Sequence, residues 1–557
     1  MRKRFPVAAI LISILFLVLA DLAPAENQAD QVSGHIRERI KELEVSPKIK
    51  CGDGLSCESV LLPKFYSERY FLPAWSDDNG PIPCVKDFLE VIYAAYREGL
   101  NPEDYHLGKI KAVIVELNEN RNKGEPLDVV KLTDLDLMLA DSFLLYASHL
   151  LEGRLDHQHF YPDWVVTERS TDLTAVLHYA LESGEIKSSL ADLAPAYAGY
   201  ARLKEKLGLY RRIAGKGGWP KIPKGPTLQR GSHGKRVAIL RQRLIASGDL
   251  SFEAPISNNI FDHNLEKAVR QFQKRHGLKD DGSVGRSALE ALNIPVGKRI
   301  RQIALNMDRM RWLPDDIGKR YIFVNIADFS LKVIENEKAI MAMKIIVGKD
   351  KQRSCVLSSE MTYLELNPFW RIPDSIAAKE ILPQIKKDPN YLAEKRIKVF
   401  QDWAEADDDR ELNPRKVKWS RVKANDLGYK FRQEPGPSNP LGRLKFIFPN
   451  LCEIYLHDTP ARDLFGKSRR DFSHGCIRIE KPIELATYLL KNKETWTRKK
   501  ILAEIKKEKR QVVMLPEPIN VHIFYGTAWV DQNGELQFRS DIYHIDDILY
   551  KVPAGIH

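Results

Sequence analysis

"YLHDTPARDLFGKSRRDFSHGCIRIEKP", residues 455–482, decides how the second half of the chain is read. It gathers His457, His474 and Cys476 in one polar segment, although the chain holds only 6 cysteines in 557 residues. The apolar run "CEIYLH" reads as a strand that ends at His457. "SHGC" (473–476) then reads as a tight turn, because Gly475 can adopt backbone angles barred to other residues. Pro482 suits the first position of a helix, "PIELATYLLKN", where no N–H donor is needed. Cys476 therefore lies on a connection between regular elements, where functional side chains concentrate.

Three chemistries fit these parts. A thiol attacks as thiolate, and a free cysteine with a pKa of about 8.5 is mostly protonated at neutral pH. A neighbouring imidazole can take that proton, and Arg470 and Arg478 add positive potential. Main-chain N–H groups at Gly475–Cys476 can face a tetrahedral oxyanion. That set belongs to a cysteine acyl transferase. The second chemistry is zinc, but a structural zinc site takes four ligands at paired spacings and no fourth ligand is evident. The third is a disulfide between Cys452 and Cys476, a common fate of exported cysteines. His474, between Ser473 and Gly475, reads as support rather than as a base.

Length, composition and charge bound the rest. A chain of 557 residues exceeds one core and predicts three or four domains. It is 43% hydrophobic and 29% charged, with a formal net charge of +11. That charge suits an anionic partner such as cell-wall glycopeptide or a membrane surface. No basic block is interleaved with aromatics, so nucleic acid is not expected. "MRKRF", the apolar "PVAAILISILFLVLA" and "APA" (23–25) predict a secretory signal cut after Ala25. The run is shorter than the roughly 20 apolar residues of a membrane span, and an uncleaved anchor is the alternative. Export implies an oxidising compartment. Cys51 and Cys57 are close enough to pair, with Cys84 as a competitor, and Cys355 and Cys452 read as buried inert thiols.

Along the chain, residues 26–215 read as a helical scaffold. "CVKDFLEVIYAAYREGL" sets Phe88, Leu89, Ile92, Tyr93 and Tyr96 on one stripe, and "LTDLDLMLADSFLLYASHLLEGRLD" predicts a long helix capped by Thr133 or Asp134 and ended by Gly153. A Gly/Pro/Lys linker (215–226) leads to a compact three-helix unit within 216–298. Val237, Leu240 and Leu244 form one of its faces and Ala268, Val269, Phe272 and His276 another. From 299 to 515 the period changes to strands, with "ENEK" as a hairpin turn. A charged, helix-prone insertion at about 373–430 reads as a capping subdomain. Residues 516–557 return to strands, with "DQNG" as a turn.

His457 and, fifteen residues on, "SHGCIR" (473–478) resemble the signature of the L,D-transpeptidase (YkuD-type) family. "NPFWRIPDSIA", "PGPSNPLGRLKFIFPN" and "YLHDTP" are similar to its large multidomain branch, typified by YcbB-like enzymes. "LQRGSHGKRVAILRQRL…AVRQFQKRHGLKDDGSVGRSALEALN" resembles a peptidoglycan-binding domain. The resemblance implies a multidomain α+β fold: a helical scaffold, a three-helix peptidoglycan-binding bundle, and a mainly-β catalytic domain with a helical capping insertion. It further implies Cys476 as nucleophile and His457 as base and later acid. Gly475, with His474 beside it, would supply the oxyanion backbone, and Ser473, Arg478 and Asp458 would position loop or substrate. Asp458 departs from the small residue common at that place. The implied reaction is 3→3 cross-linking of tetrapeptide stems in the periplasm with release of D-alanine, without metal or cofactor. Peptidoglycan is the expected partner, with other wall-synthesis proteins beside it, and membrane contact follows only from an uncleaved signal. The alternatives are a wall-peptide hydrolase and a catalytically silent wall-binding scaffold.

Overall fold

The computed structural model describes residues 27–43, 49–50, 56–57, 60–155, 169–251, 259–388, 390–403, 411–493 and 495–551. The expected export signal lies outside the described residues, as do the side chains on which a Cys51–Cys57 pairing rests. The described residues divide into two compact units, one within 27–155 with 169–197 and one within 198–551.

The first unit is helical and packs around α1 (Val129–Leu151), which is buried on nearly every side. A helix that is apolar all round belongs at the centre of a core. It begins one turn earlier than its sequence suggests. The Asp128 carboxylate, rather than Thr133 or Asp134, accepts the N–H groups of Val130 (3.0 Å) and Lys131 (3.1 Å). Phe88 and Ile92 face the core, but Tyr93 is 61% exposed, so the apolar stripe is narrower than its spacing implies. The Lys111 ammonium covers the outer ring instead.

The second unit opens with the helix Ala198–Gly215, and a bundle of α2 (Lys235–Ala246), α3 (His263–Arg275) and α4 (Arg286–Leu292) follows. Val237, Leu240, Leu244, Ala268, Val269 and Phe272 interlock in its core. The next helix, α5 (Val296–Arg311), runs across residue 298 without a break and joins bundle to sheet.

Nine strands form the largest sheet: β1 (Arg320–Asn325), β2 (Ser330–Glu335), β3 (Lys338–Gly348), β4 (Leu357–Leu366), β5 (Leu444–Ile447), β6 (Leu456–His457), β7 (Asp471–Ser473), β8 (Ile477–Ile479) and β9 (Gln511–Phe524). Their order is β7-β3-β8-β6-β5-β4-β9-β1-β2, and β3 also pairs with β2, which closes the sheet on itself. The "ENEK" turn forms as read, with Asn336 and Glu337 both at positive φ, as a two-residue hairpin turn requires. β9 continues through residue 515, so the strand after the catalytic motif sits centrally, between β4 and β1.

The insertion leaves the sheet at Trp370–Ile372 and returns at Lys430–Gln433, two strands that pair. Its first half is helical. Its second half adds Ile397–Phe400 and Glu411–Leu412 to make a four-stranded sheet with its own core around Ile385, Val399 and Phe431.

One cysteine expectation is overturned. Cys355 and Cys452 are not inert thiols: they form a disulfide across 97 residues of sequence. They lie on two loops, before β4 and before β6, rather than within strands. Cys476 is thus left as a thiol, and a Cys452–Cys476 bridge is excluded.

Candidate active site

Register explains why the motif residues meet. β6 pairs with β8 in parallel, Leu456 opposite Ile477 and His457 opposite Arg478. β5 pairs with β6 so that Lys445 faces His457, and with β4 so that Lys445 faces Glu365. Side chains alternate along strands, so Glu365, Lys445, His457 and Arg478 form one polar row across four strands. The adjacent row, Leu364, Phe446, Leu456 and Ile477, is apolar and buried on the opposite face. Tyr455 and Cys476 lie two residues from His457 and Arg478, hence on the polar side with them. Sequence reading found His457, Cys476 and Arg478 but missed Lys445, Tyr455 and Glu365. The alternation in "LKFIF" and the i, i+2 spacing of Tyr455 and His457 were the available signals.

The turn that carries Cys476 is braced from within. Ser473 Oγ donates to the Cys476 carbonyl (2.6 Å) and accepts the Gly475 N–H (3.2 Å). Gly475 sits at φ 120°, a region that strains any other residue. Its carbonyl accepts Ser354 Oγ at 2.6 Å, and Ser354 in turn accepts the Gly348 N–H. His474 points away from the polar row: its Nε2 lies 2.8 Å from Glu380 Oε1, on the π-helical turn Ala377–Ile381 of the insertion.

His457 is 3% exposed, and its Nδ1 meets the Asp458 carbonyl. A carbonyl only accepts, so Nδ1 carries the proton of the neutral ring and Nε2 keeps its lone pair. Burial, then the nearby Arg478 guanidinium, push the His457 pKa down to about 3. Burial pushes the Cys476 thiol up, opposed by hydrogen bonding to Tyr455 and by the Lys445 and Arg478 charges. The resting pair is therefore neutral thiol and neutral imidazole.

The two cations are themselves under tension. Burial lowers the pKa of both Lys445 and Arg478, and the Lys445 ammonium rests 3.9 Å from the Tyr455 ring centroid. Arg478 Nε is buried without a hydrogen-bond partner. Such an orphaned charged donor is costly in a finished core and useful beside an anion.

Asp458, the departure noted in the motif, holds a loop. Its Oδ2 accepts the Arg443 N–H (2.9 Å), and its Oδ1 lies 3.3 Å from Arg462. Gly442, at φ 63°, leaves the space the carboxylate fills. Among the described residues no cluster of His, Cys, Asp or Glu could hold a metal ion.

Comparison with known proteins matches three segments of the chain. Residues 60–207 match the profile of a "Scaffold domain", residues 233–292 that of a "Putative peptidoglycan binding domain", and residues 319–509 that of the "L,D-transpeptidase catalytic domain" of the YkuD family. The second unit thus contains a YkuD-family L,D-transpeptidase catalytic domain preceded by a peptidoglycan-binding domain. A "Putative L,D-transpeptidase" of Haemophilus influenzae is 34% identical over 257 residues, 45% of this chain and 50% of its own. The chain spans about half the length of that curated relative. Two solved L,D-transpeptidases also align. The one from Xylanimonas cellulosilytica (residues 123–326) is 14% identical, covering 54% of this chain and 99% of its own, at TM-score 0.17. The one from Stackebrandtia nassauensis is 13% identical, covering 55% and 96%, at TM-score 0.20.

Proposed function

We propose that the protein is a cysteine-dependent L,D-transpeptidase that forms 3→3 cross-links between peptidoglycan stems in the periplasm. The observation that carries this reading is the strand register that sets Cys476 and His457 on one cation-flanked sheet face, inside the segment that matches the catalytic family.

Cys476 Sγ attacks the carbonyl of the third residue of a tetrapeptide stem. The S–C bond forms as the thiol proton passes to Nε2 of His457. A ring whose pKa is about 3 is a short-lived acid, so the imidazolium hands its proton to the departing D-alanine amine as the C–N bond breaks. Lys445 and Arg478 favour the sulfur anion along this path. The oxyanion draws on the main-chain amides of Gly475 and Cys476. The Gly475 amide now makes a long 3.2 Å bond to Ser473 Oγ, which a charged acceptor outcompetes. The side-chain amine of a second stem then attacks the thioester, loses its proton to His457 and frees Cys476.

The Cys355–Cys452 disulfide supports an oxidising, exported location, since such bonds persist there and are rare in the cytosol. The test is mass spectrometry of muropeptides after incubation with disaccharide tetrapeptides. Tri–tetra dimers with free D-alanine are expected, and Cys476→Ala abolishes both. Tripeptide monomers without dimers would identify a hydrolase instead, and full activity in Cys476→Ala would overturn the reading.

A further inference from the structure

The bundle packs along a pinned seam on a two-stranded hairpin, Ala528–Val530 with Leu536–Phe538, that follows the nine-stranded sheet. The His276 ring stacks between Phe272 (3.8 Å) and Phe538 (5.4 Å). Arg539 Nη1 donates to the Arg275 carbonyl at 3.1 Å, and Gly277, at φ 64°, leaves the space that the Arg539 side chain fills. A cavity of about 790 Å³ opens on one side of this pin. Its walls are the turn joining α3 to α4, the β1–β2 turn, the loop Gly466 to Arg470 and the segment Arg539 to Ile542.

Charge sets this cavity apart. Seven Lys and Arg side chains line it against three Asp. A second cavity of the same volume on the other side of the pin has four of each sign and no excess. Within the first, Arg539 is neutralised by Asp328 (2.6 Å), and Arg470 is spent on the carbonyls of Phe329 and Ile345. Lys279, Arg286 and Lys467 stand at its rim in solvent, where exposed ion pairs such as Arg286–Glu290 hold them weakly.

We propose that this groove binds a carboxylate-bearing glycopeptide strand, a part of the wall polymer away from the peptide being cut. The inference rests on the wall-polymer reading above. The lining fits that chemistry better than a polyphosphate. Ser283, Ser287, Ser468 and Ser540 match sugar hydroxyls and peptide amides, groups that a bare polyphosphate does not offer. Placement fits too. The loop ending at Arg470 runs directly into β7 and the catalytic turn, and the six residues to Cys476 span at most about 20 Å. An extended stem of four residues reaches roughly 13 Å, a comparable length. A strand seated in the groove therefore holds its own stems near the thiol, and the bundle acts as one wall of the substrate path.

The test uses the full chain with Cys476→Ala, so that retention on insoluble peptidoglycan sacculi is read without turnover and independently of the proposed reaction. Lys279→Glu, Arg286→Glu and Lys467→Glu together should weaken retention about fivefold, since each rim charge contributes modestly. The control reverses Lys221, Lys235 and Lys267, exposed charges outside the groove, and should retain binding. The milder Lys279→Gln, Arg286→Gln and Lys467→Gln set gives the same direction if the first variant folds poorly. Sacculi with amidated carboxylates should bind the parent protein more weakly. Equal retention of groove and control variants, or undiminished binding to amidated sacculi, overturns the proposal.

Discussion

Two buried polar clusters, one in each unit, treat their charges in opposite ways. In the helical unit Asp136 is fully buried, and its carboxylate accepts Tyr66 OH (2.7 Å), Ser76 Oγ (2.9 Å) and the N–H groups of Ala74 (2.9 Å) and Trp75 (2.8 Å). Burial raises its pKa, and all four donors pull against that rise. In the catalytic sheet burial also dominates, but the partners are withheld: Arg478 Nε is orphaned, and His457 is pressed to about 3. The first cluster spends its hydrogen-bonding capacity on the fold. The second keeps capacity for something that arrives.

That contrast can be broken by substitution. His457→Gln should cut transpeptidation about a thousandfold, the scale of a lost general base, while shifting unfolding by only about 1 kcal/mol. The same residue sets a pH signature. Its folded pKa of about 3 lies below the ordinary 6.5, so the unfolded chain binds the extra proton between those values. Stability from this source is complete above about pH 6.5 and falls as pH drops toward 3, and unfolding curves of the Gln variant should lack that component. Asp136→Ala should do the reverse of His457→Gln. It leaves four buried donors unmet, costs about 3 kcal/mol in denaturant unfolding and leaves the catalytic residues untouched. A smaller effect sharpens the account of the loop before β5. Gly442→Ala combines a left-handed backbone with a clash against Asp458, about 2 kcal/mol by thermal unfolding, and Asp458→Ala in the same chain should recover part of it.

The strand ending at His457, the turn at Gly475 and the helix starting at Pro482 were legible because each depends on a few neighbouring residues. The polar row was not. Glu365 and Arg478 are brought together by register across β4, β5, β6 and β8, and no local pattern specifies which strand sits beside which. The Cys355–Cys452 disulfide was missed for the same reason, with 97 residues between its ends. The cap of α1 was misplaced for a different one. Asp128, Thr133 and Asp134 are all competent caps; in the structure Asp128 takes the role and Thr133 lies inside the helix, its hydroxyl on the Val129 carbonyl. The wall-binding bundle was readable, whereas the groove it forms with the sheet depends on how α5 and Phe538 set the two side by side.

The central claim is that Cys476 carries an acyl group between two stems. Intact-mass spectrometry of the full chain, quenched early in a reaction with disaccharide tetrapeptide, tests it most directly. The account predicts an adduct equal to the substrate minus D-alanine, mapped to the peptide containing Cys476 and absent from Cys476→Ala. Turnover with no adduct on Cys476, or an equal adduct on the Ala variant, would contradict it.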